Sequence, residues 1–159
     1  MAINRFRIEA FLDEREFVYT SRFDDETGDS SYVLLFTGGA GVTVTLGEDG
    51  EYVLFRSLPL LTWEEVAEEH RVALLEHLLQ RNNRLKVGHY SQSDEITFES
   101  SLVVEDGEVT DQQLDRCMGA VVSEVTNHGP KIRALAYGQE IEDSIDELIQ
   151  RLIDDEDEA

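Results

Sequence analysis

The chain is short of cysteine, proline and lysine, and each shortage excludes something. The single cysteine, Cys117, rules out an intramolecular disulfide and a cysteine-based zinc cluster, and it fits a reducing compartment. Two prolines, Pro59 and Pro130, leave no Pro-rich linker, and with no shift in composition along 159 residues the default is one domain. No stretch reaches the roughly 18 consecutive apolar residues of a membrane span. MAINRFRIEAFLDERE at the N-terminus has no apolar run of signal-peptide length, so the expected location is the cytoplasm. Two lysines and eleven arginines stand against 35 acids, a net charge of −22. Binding to phosphate backbones or anionic lipid needs a basic stripe that releases counterions, so neither nucleic acid nor membrane is an expected partner.

An apolar content of 41% supports one real core, because a chain of this length buries about two-thirds of the surface its unfolded form exposes. Acid is unevenly spread: residues 138–159 hold ten acids and one arginine, a net of −9, which leaves −13 on the first 137. Solubility or a salty cytoplasm accounts for such a composition as readily as function does.

Hydrophobic spacing organises the chain. Ile3, Phe6 and Ala10, with Ile8, Phe11 and Leu12 slightly offset, form a broad stripe that predicts a helix over 3–14. FVYTSRF (17–23) alternates with period two, putting Phe17, Tyr19 and Phe23 on one side, and DDETGDSS (24–31) is a turn cluster. YVLLFT (32–37), VTVTL (42–46) and YVLFRSL (52–58) follow as strands joined by GGAG and GEDG, an antiparallel meander. Thr62 and Glu65 have the spacing of a capping box, so the next helix is expected to start there and run to about Gln80 or Asn82. Its apolar residues, among them Val66, Val72, Leu74, Leu75, Leu78 and Leu79, cover a wide face, which predicts neighbours on more than one side.

RNNRLKVGHYSQS (81–93) is a polar, partly basic island in this acidic chain. It can line an anion pocket, or it can mark a helix end. Asn82 and Asn83 suit the left-handed backbone that ends helices, and Arg81 and Arg84 suit the negative end of the helix dipole, so the second reading is preferred. KVGHYSQ and ITFESSLVV (96–104) are two more strands, the second placing Ile96, Phe98, Ser100, Leu102 and Val104 on one face. Thr110 and Gln113 repeat the capping spacing ahead of a seam of Leu114, Cys117, Met118, Val121, Val122 and Val125, which is expected to stop at NHGP (127–130). A short helical turn at Ile132–Leu135 and a terminal amphipathic helix carrying Ile141, Ile145, Leu148, Ile149 and Leu152 complete the pattern, with DDEDEA fraying at its end. The fold class is α+β: an antiparallel sheet flanked by helices in the order α-β-β-β(β)-α-β-β-α, with a domain over 1–137 and an acidic helix and tail over 138–159.

No catalytic constellation is visible. His70 and His77 lie about 10 Å apart along a helix, too far for one metal. GGAG lacks the GK[ST] ending of a phosphate loop, DDETGD and GEDGE lack the ligand pattern of a calcium loop, and no GxSxG elbow presents a serine. Cys117 falls in an apolar seam. Hence no cofactor, metal or catalytic residue is expected.

The stretch LLQRNNRLKVGHYSQSDEITFESSLVVEDGEVTDQQLDRCMGAVV resembles the YbjN-like family, whose members share the fold of type III secretion chaperones. The resemblance rests on an Asn at the end of the central helix (Asn82 or Asn83), Gly88 and Tyr90, Asp94, the strand with Ile96, Phe98 and Leu102, and the Thr-capped helix with Leu114. It is strongest over 62–125 and extends over 3–125. It implies a small acidic cytoplasmic protein, dimeric, engaging a protein partner, in a family described as sensory transduction regulators. The expected function is therefore a non-enzymatic protein-binding module, chaperone-like or regulatory, working as a homodimer through apolar contacts. Trp63, Val66, Val72, Tyr90 and Phe98 are the candidate contact residues. Two alternatives stand beside it: a small-ligand binder or enzyme using acids and His89 in a cleft, and a module whose acidic helix over 138–159 masks its own groove.

Overall fold

Alternation of apolar and polar residues produces a sheet that is greasy on one side only. The structure is a computed structural model, and it describes residues 3–47, 49–104 and 108–138. Helix α1 (Arg5–Glu14) leads into strands β1 (Tyr19–Phe23), β2 (Ser30–Leu35), β3 (Gly41–Leu46), β4 (Tyr52–Ser57) and the two-residue β5 (Leu61–Thr62). Helix α2 (Glu68–Arg84), strands β6 (His89–Gln92) and β7 (Glu95–Val103) and helix α3 (Asp111–Ala136) follow. All strand pairs are antiparallel, in the order β1-β2-β3-β4-β7. The long β7 takes β4 and β5 on one edge and β6 on the other.

Register explains where the core sits. Tyr32, Val44, Phe55 and Ser100 lie side by side across four strands and are all buried, whereas Val33, Thr43, Arg56, Glu99 and His89 form the row that points the other way. The first face receives the helices: Ile8, Phe11 and Leu12 of α1, Leu74 and Leu78 of α2, and Leu114, Met118, Val121 and Ile132 of α3 join it in one core. The face with Arg56, Ser101 and Val103 carries no helix among the described residues.

Several local expectations give way to tertiary context. Phe6 and Ala10 are exposed, because only the Ile8, Phe11, Leu12 side of α1 meets the sheet. Phe23 keeps its place in the alternation but is exposed at the edge strand. The Thr62–Glu65 pair forms, with the Glu65 carboxylate accepting from the Thr62 amide at 2.7 Å and the Thr62 hydroxyl at 3.0 Å. It caps only a three-residue 3-10 turn (Trp63–Glu65), and α2 starts later, at Glu68. The second capping box, Thr110 with Gln113, does open α3. NHGP does not stop that helix, which carries Pro130 in its interior and absorbs the short turn expected at 132–135. Gly129 earns its position there: a Cβ would come within 3.3 Å of Leu60. The terminal helix and tail expected over 138–159 lie, beyond Gly138, outside the described residues.

Asn82 and Asn83 do not end α2 either; both are helical, and the helix runs to Arg84. Asn82 has a different task. Its side-chain amide donates to the Tyr90 carbonyl at 3.0 Å while its oxygen accepts the Tyr90 amide at 2.7 Å, as a neighbouring strand would. This closes the outer edge of β6. Leaving two part-buried main-chain groups unpaired costs on the order of 2 kcal/mol, so Asn82→Ala should lower the urea-unfolding free energy by about that amount, whereas the exposed Asn83→Ala should stay within about 0.5 kcal/mol.

Candidate functional site

Three helical turns of α2 carry Val72, Leu75 and Leu79, separated by three and four residues and so aligned on one face. All three are exposed, at 67, 40 and 63%. Helix α2 does have neighbours on more than one side, α3 and β6, but its wide apolar face is only partly covered: its buried residues are Leu74 and Leu78. Glu68, Glu69 and Glu76 stand around the stripe, all exposed. An apolar row with an acidic rim is, among the described residues, a surface with the chemistry for contact with another molecule.

The five residues singled out from sequence separate sharply. Val72 belongs to the stripe. Trp63 is half-buried beside it in the chain, with the Arg71 guanidinium 5.3 Å above its ring. Val66, Tyr90 and Phe98 are inside the core, at 1, 5 and 0% exposure, and Tyr90 and Phe98 pack edge to face at 4.9 Å. A partner touches none of these three without opening the domain.

Beneath α2 lies a polar cluster that sequence reasoning missed. Arg81 donates from Nε and Nη2 to the two oxygens of Glu124, each at 2.8 Å, and the Tyr90 hydroxyl donates to the same carboxylate at 2.9 Å. The Nε2 atoms of His77 and His128 are 2.8 Å apart, with the rings within 8° of parallel. The 5.0 Å between ring centroids exceeds the nitrogen separation by no more than two ring radii, so the imidazoles meet edge to edge in nearly one plane. One Nε2 donates and the other accepts, which requires the accepting ring to be neutral. His77 and Arg81 are four apart on α2, and Glu124 and His128 are four apart on α3. Paired polar residues at helical spacing inside two otherwise apolar seams are the signal that was available.

Electrostatics bind the cluster to its place. Burial resists ionisation of Glu124, but the hydrogen bonds from Arg81 and Tyr90 prevail and hold its carboxyl below the usual range. Burial pushes the Tyr90 phenol up, and the Glu124 charge adds to it. His128 falls to about 4, first through burial and then through the charge of Arg81. With Glu124 committed to Arg81 and Tyr90, the cluster reads as a joint between α2, α3 and β6. Among the described residues no group of three or more His, Cys, Asp or Glu is placed to hold a metal, and burial pushes the Cys117 thiol up.

An antiparallel sheet carrying three helices in this order is an α+β fold that two solved structures share. The chain belongs to the YbjN family, "Putative bacterial sensory transduction regulator", whose model matches residues 4–134. Among solved structures it is similar to YbjN from E. coli, titled a putative transcription regulator, at 13% identity and a TM-score of 0.59, covering 89% of this chain and 98% of that one. It is also similar to a chain of the ExsC-ExsE complex at 16% identity and a TM-score of 0.55, covering 80% and 96%. No curated protein matches the sequence. No helix among the described residues is long and apolar enough to cross a membrane.

A pH dependence follows from His128. Its folded value is lowered from 6.5 to about 4, so below pH 6.5 the unfolded chain takes up a proton that the folded chain refuses. Stability should be at its full value above pH 6.5 and fall, by on the order of 2 kcal/mol, as the pH drops toward 4. Chemical denaturation at pH 7, 6, 5 and 4.5 checks this, and His128→Asn should flatten the slope over that window whatever its effect on stability at pH 7.

Proposed function

We propose that this chain is a non-enzymatic protein-binding module that presents the Val72, Leu75, Leu79 stripe of α2 to an amphipathic polypeptide segment bearing lysine or arginine beside its apolar anchors. The carrying observation is the stripe itself: three exposed aliphatic side chains in line on a helix whose other sides meet the core through Leu74 and Leu78 and α3 through His77 and Arg81. Covering each is worth about 1–2 kcal/mol at ~25 cal/mol per Å². The surrounding glutamates and the net charge of −22 favour a basic rim on the partner and speed its approach.

Membership in a family of sensory transduction regulators, and likeness to a chain solved as a complex of two proteins, both support a binding role. Val72 and the adjoining Trp63 carry over from the residues expected to make contact. Val66, Tyr90 and Phe98 act by holding α2 and the sheet in place. A homodimer through the same stripe sets Glu68, Glu69 and Glu76 of one copy against those of the other, so self-association on this face is strengthened by salt, while capture of a basic partner is weakened by it.

Val72→Glu and Leu79→Glu should leave the thermal midpoint within about 2 °C of the parent, since both side chains already face solvent. The paired substitution should abolish capture of the polypeptide that the full chain retains at low salt. Unaltered capture by the doubly substituted protein removes the stripe from the binding surface. Native mass measurement at low and high salt separates a self-interface from a partner site.

A further inference from the structure

The basic island at 81–93 has a use that its helix-end chemistry does not exhaust. Asn82 bonds both main-chain groups of Tyr90, so those groups point away from β7, and His89 and Ser91 are the β6 residues that bond it. Their partners Glu99 and Thr97 therefore turn their main-chain groups to the β6 edge. Phe98 and Ile96 turn theirs the other way, as the bonds from the Phe98 amide to Ser57 and from the Leu60 amide to the Ile96 carbonyl show. By the same alternation Ser101 and Val103 present theirs on the β6 edge, beyond His89, where no strand pairs with them among the described residues. Both are exposed. This is an open length of sheet edge at the C-terminal end of the longest described strand.

A groove runs along Ser100, Ser101 and Leu102, bounded by Gln113 and Arg116 of α3 on one side and by Lys86 and His89 at the end where β6 begins. Gly88 lets the chain turn out of the way: its φ is +78°, and a Cβ there would meet the Phe98 ring at 2.5 Å. Lys86 and Arg116 are exposed, and neither forms an ion pair with a described residue. In a chain of net −22, Lys86 and Arg116 give this groove two positive side chains. A free anion would use the cations alone. The main-chain donors and acceptors of Ser101 and Val103 add a requirement that only another peptide backbone meets.

We propose that an extended polypeptide segment with carboxylate side chains at alternate positions adds as a strand to the edge of β7 at Ser101 and Val103, in line with β6, its acids held by Arg116 and Lys86. A residue opposite Leu102 points to the helix-covered face, toward Arg116; its neighbours point to the open face of the sheet. This surface is separate from the α2 stripe and does not depend on it.

The test uses the full chain, isotopically labelled, titrated with an acetylated and amidated octapeptide of alternating valine and glutamate. Saturable shifts and slowed amide exchange are expected at Ser101 and Val103. Lys86→Glu with Arg116→Glu, both at exposed positions, should weaken the dissociation constant at least about tenfold, as should lysine in place of glutamate in the peptide. Methylating the alternate set of peptide nitrogens that faces β7 should remove binding while methylating the other set leaves it, and Val72→Glu should change nothing. The proposal is overturned by absence of saturable shifts, by equal binding of the lysine peptide, or by binding that survives both methylations, which would mark a plain anion site. It is equally overturned if the Ser101 and Val103 amides are already protected in the unliganded full chain, because the chain then covers this edge itself.

Discussion

A buried carboxylate holds this domain in register. Glu124 sits on α3 at 7% side-chain exposure in a chain with 35 acids, where a further charge taken out of water is hard to accommodate. It is tolerated because Arg81 matches both of its oxygens in a fork and Tyr90 supplies a third donor. Those three residues come from α3, α2 and β6. If any one shifted by a turn or a register step, the carboxylate would be left buried without its partner, so the geometry of the pair fixes how the two helices and the strand meet. The planar His77–His128 contact and the Asn82 clasp on Tyr90 repeat the same connection.

This joint also positions the α2 surface. Arg81 and His77 anchor one side of α2, which leaves the opposite side with Val72, Leu75 and Leu79 in solvent. Gly88, at φ +78°, turns the chain away just before β6 begins at His89, and that is what leaves Ser101 and Val103 without a paired strand among the described residues. A polar cluster inside the domain thus bears on which apolar and main-chain groups are left facing solvent.

Much of the architecture is legible in periodicity. The β2–β4 meander, the β6–β7 hairpin, the Thr110 cap and the apolar seam of α3 follow from spacings of two and of three to four, because each element must bury one face against the same core. Boundaries that depend on local signals alone are the ones that moved. Thr62 and Glu65 satisfy each other over one turn, which is as much as a capping box guarantees. Pro130 and Gly129 read as a stop, yet the helix persists because Ile132 and Ala136 on its far side are buried and Gly129 lets Leu60 close in.

What the sequence by itself determined is the α+β class, the single core, the acidic surface, the family, and which residues alternate in or out along each strand. All of these are short-range properties, set by the spacing of side chains along one element or by sums over the chain. Only the tertiary structure decided that Glu124, Arg81, Tyr90, His77 and His128 converge, that Val66, Tyr90 and Phe98 are core while Val72 is surface, and that β6 ends before β7 does. Those facts depend on how far one element slides along another. That distance is governed by packing and by hydrogen bonds between residues far apart in the chain, 51 positions for His77 and His128 and 104 for Arg7 and Asp111, which no local pattern records.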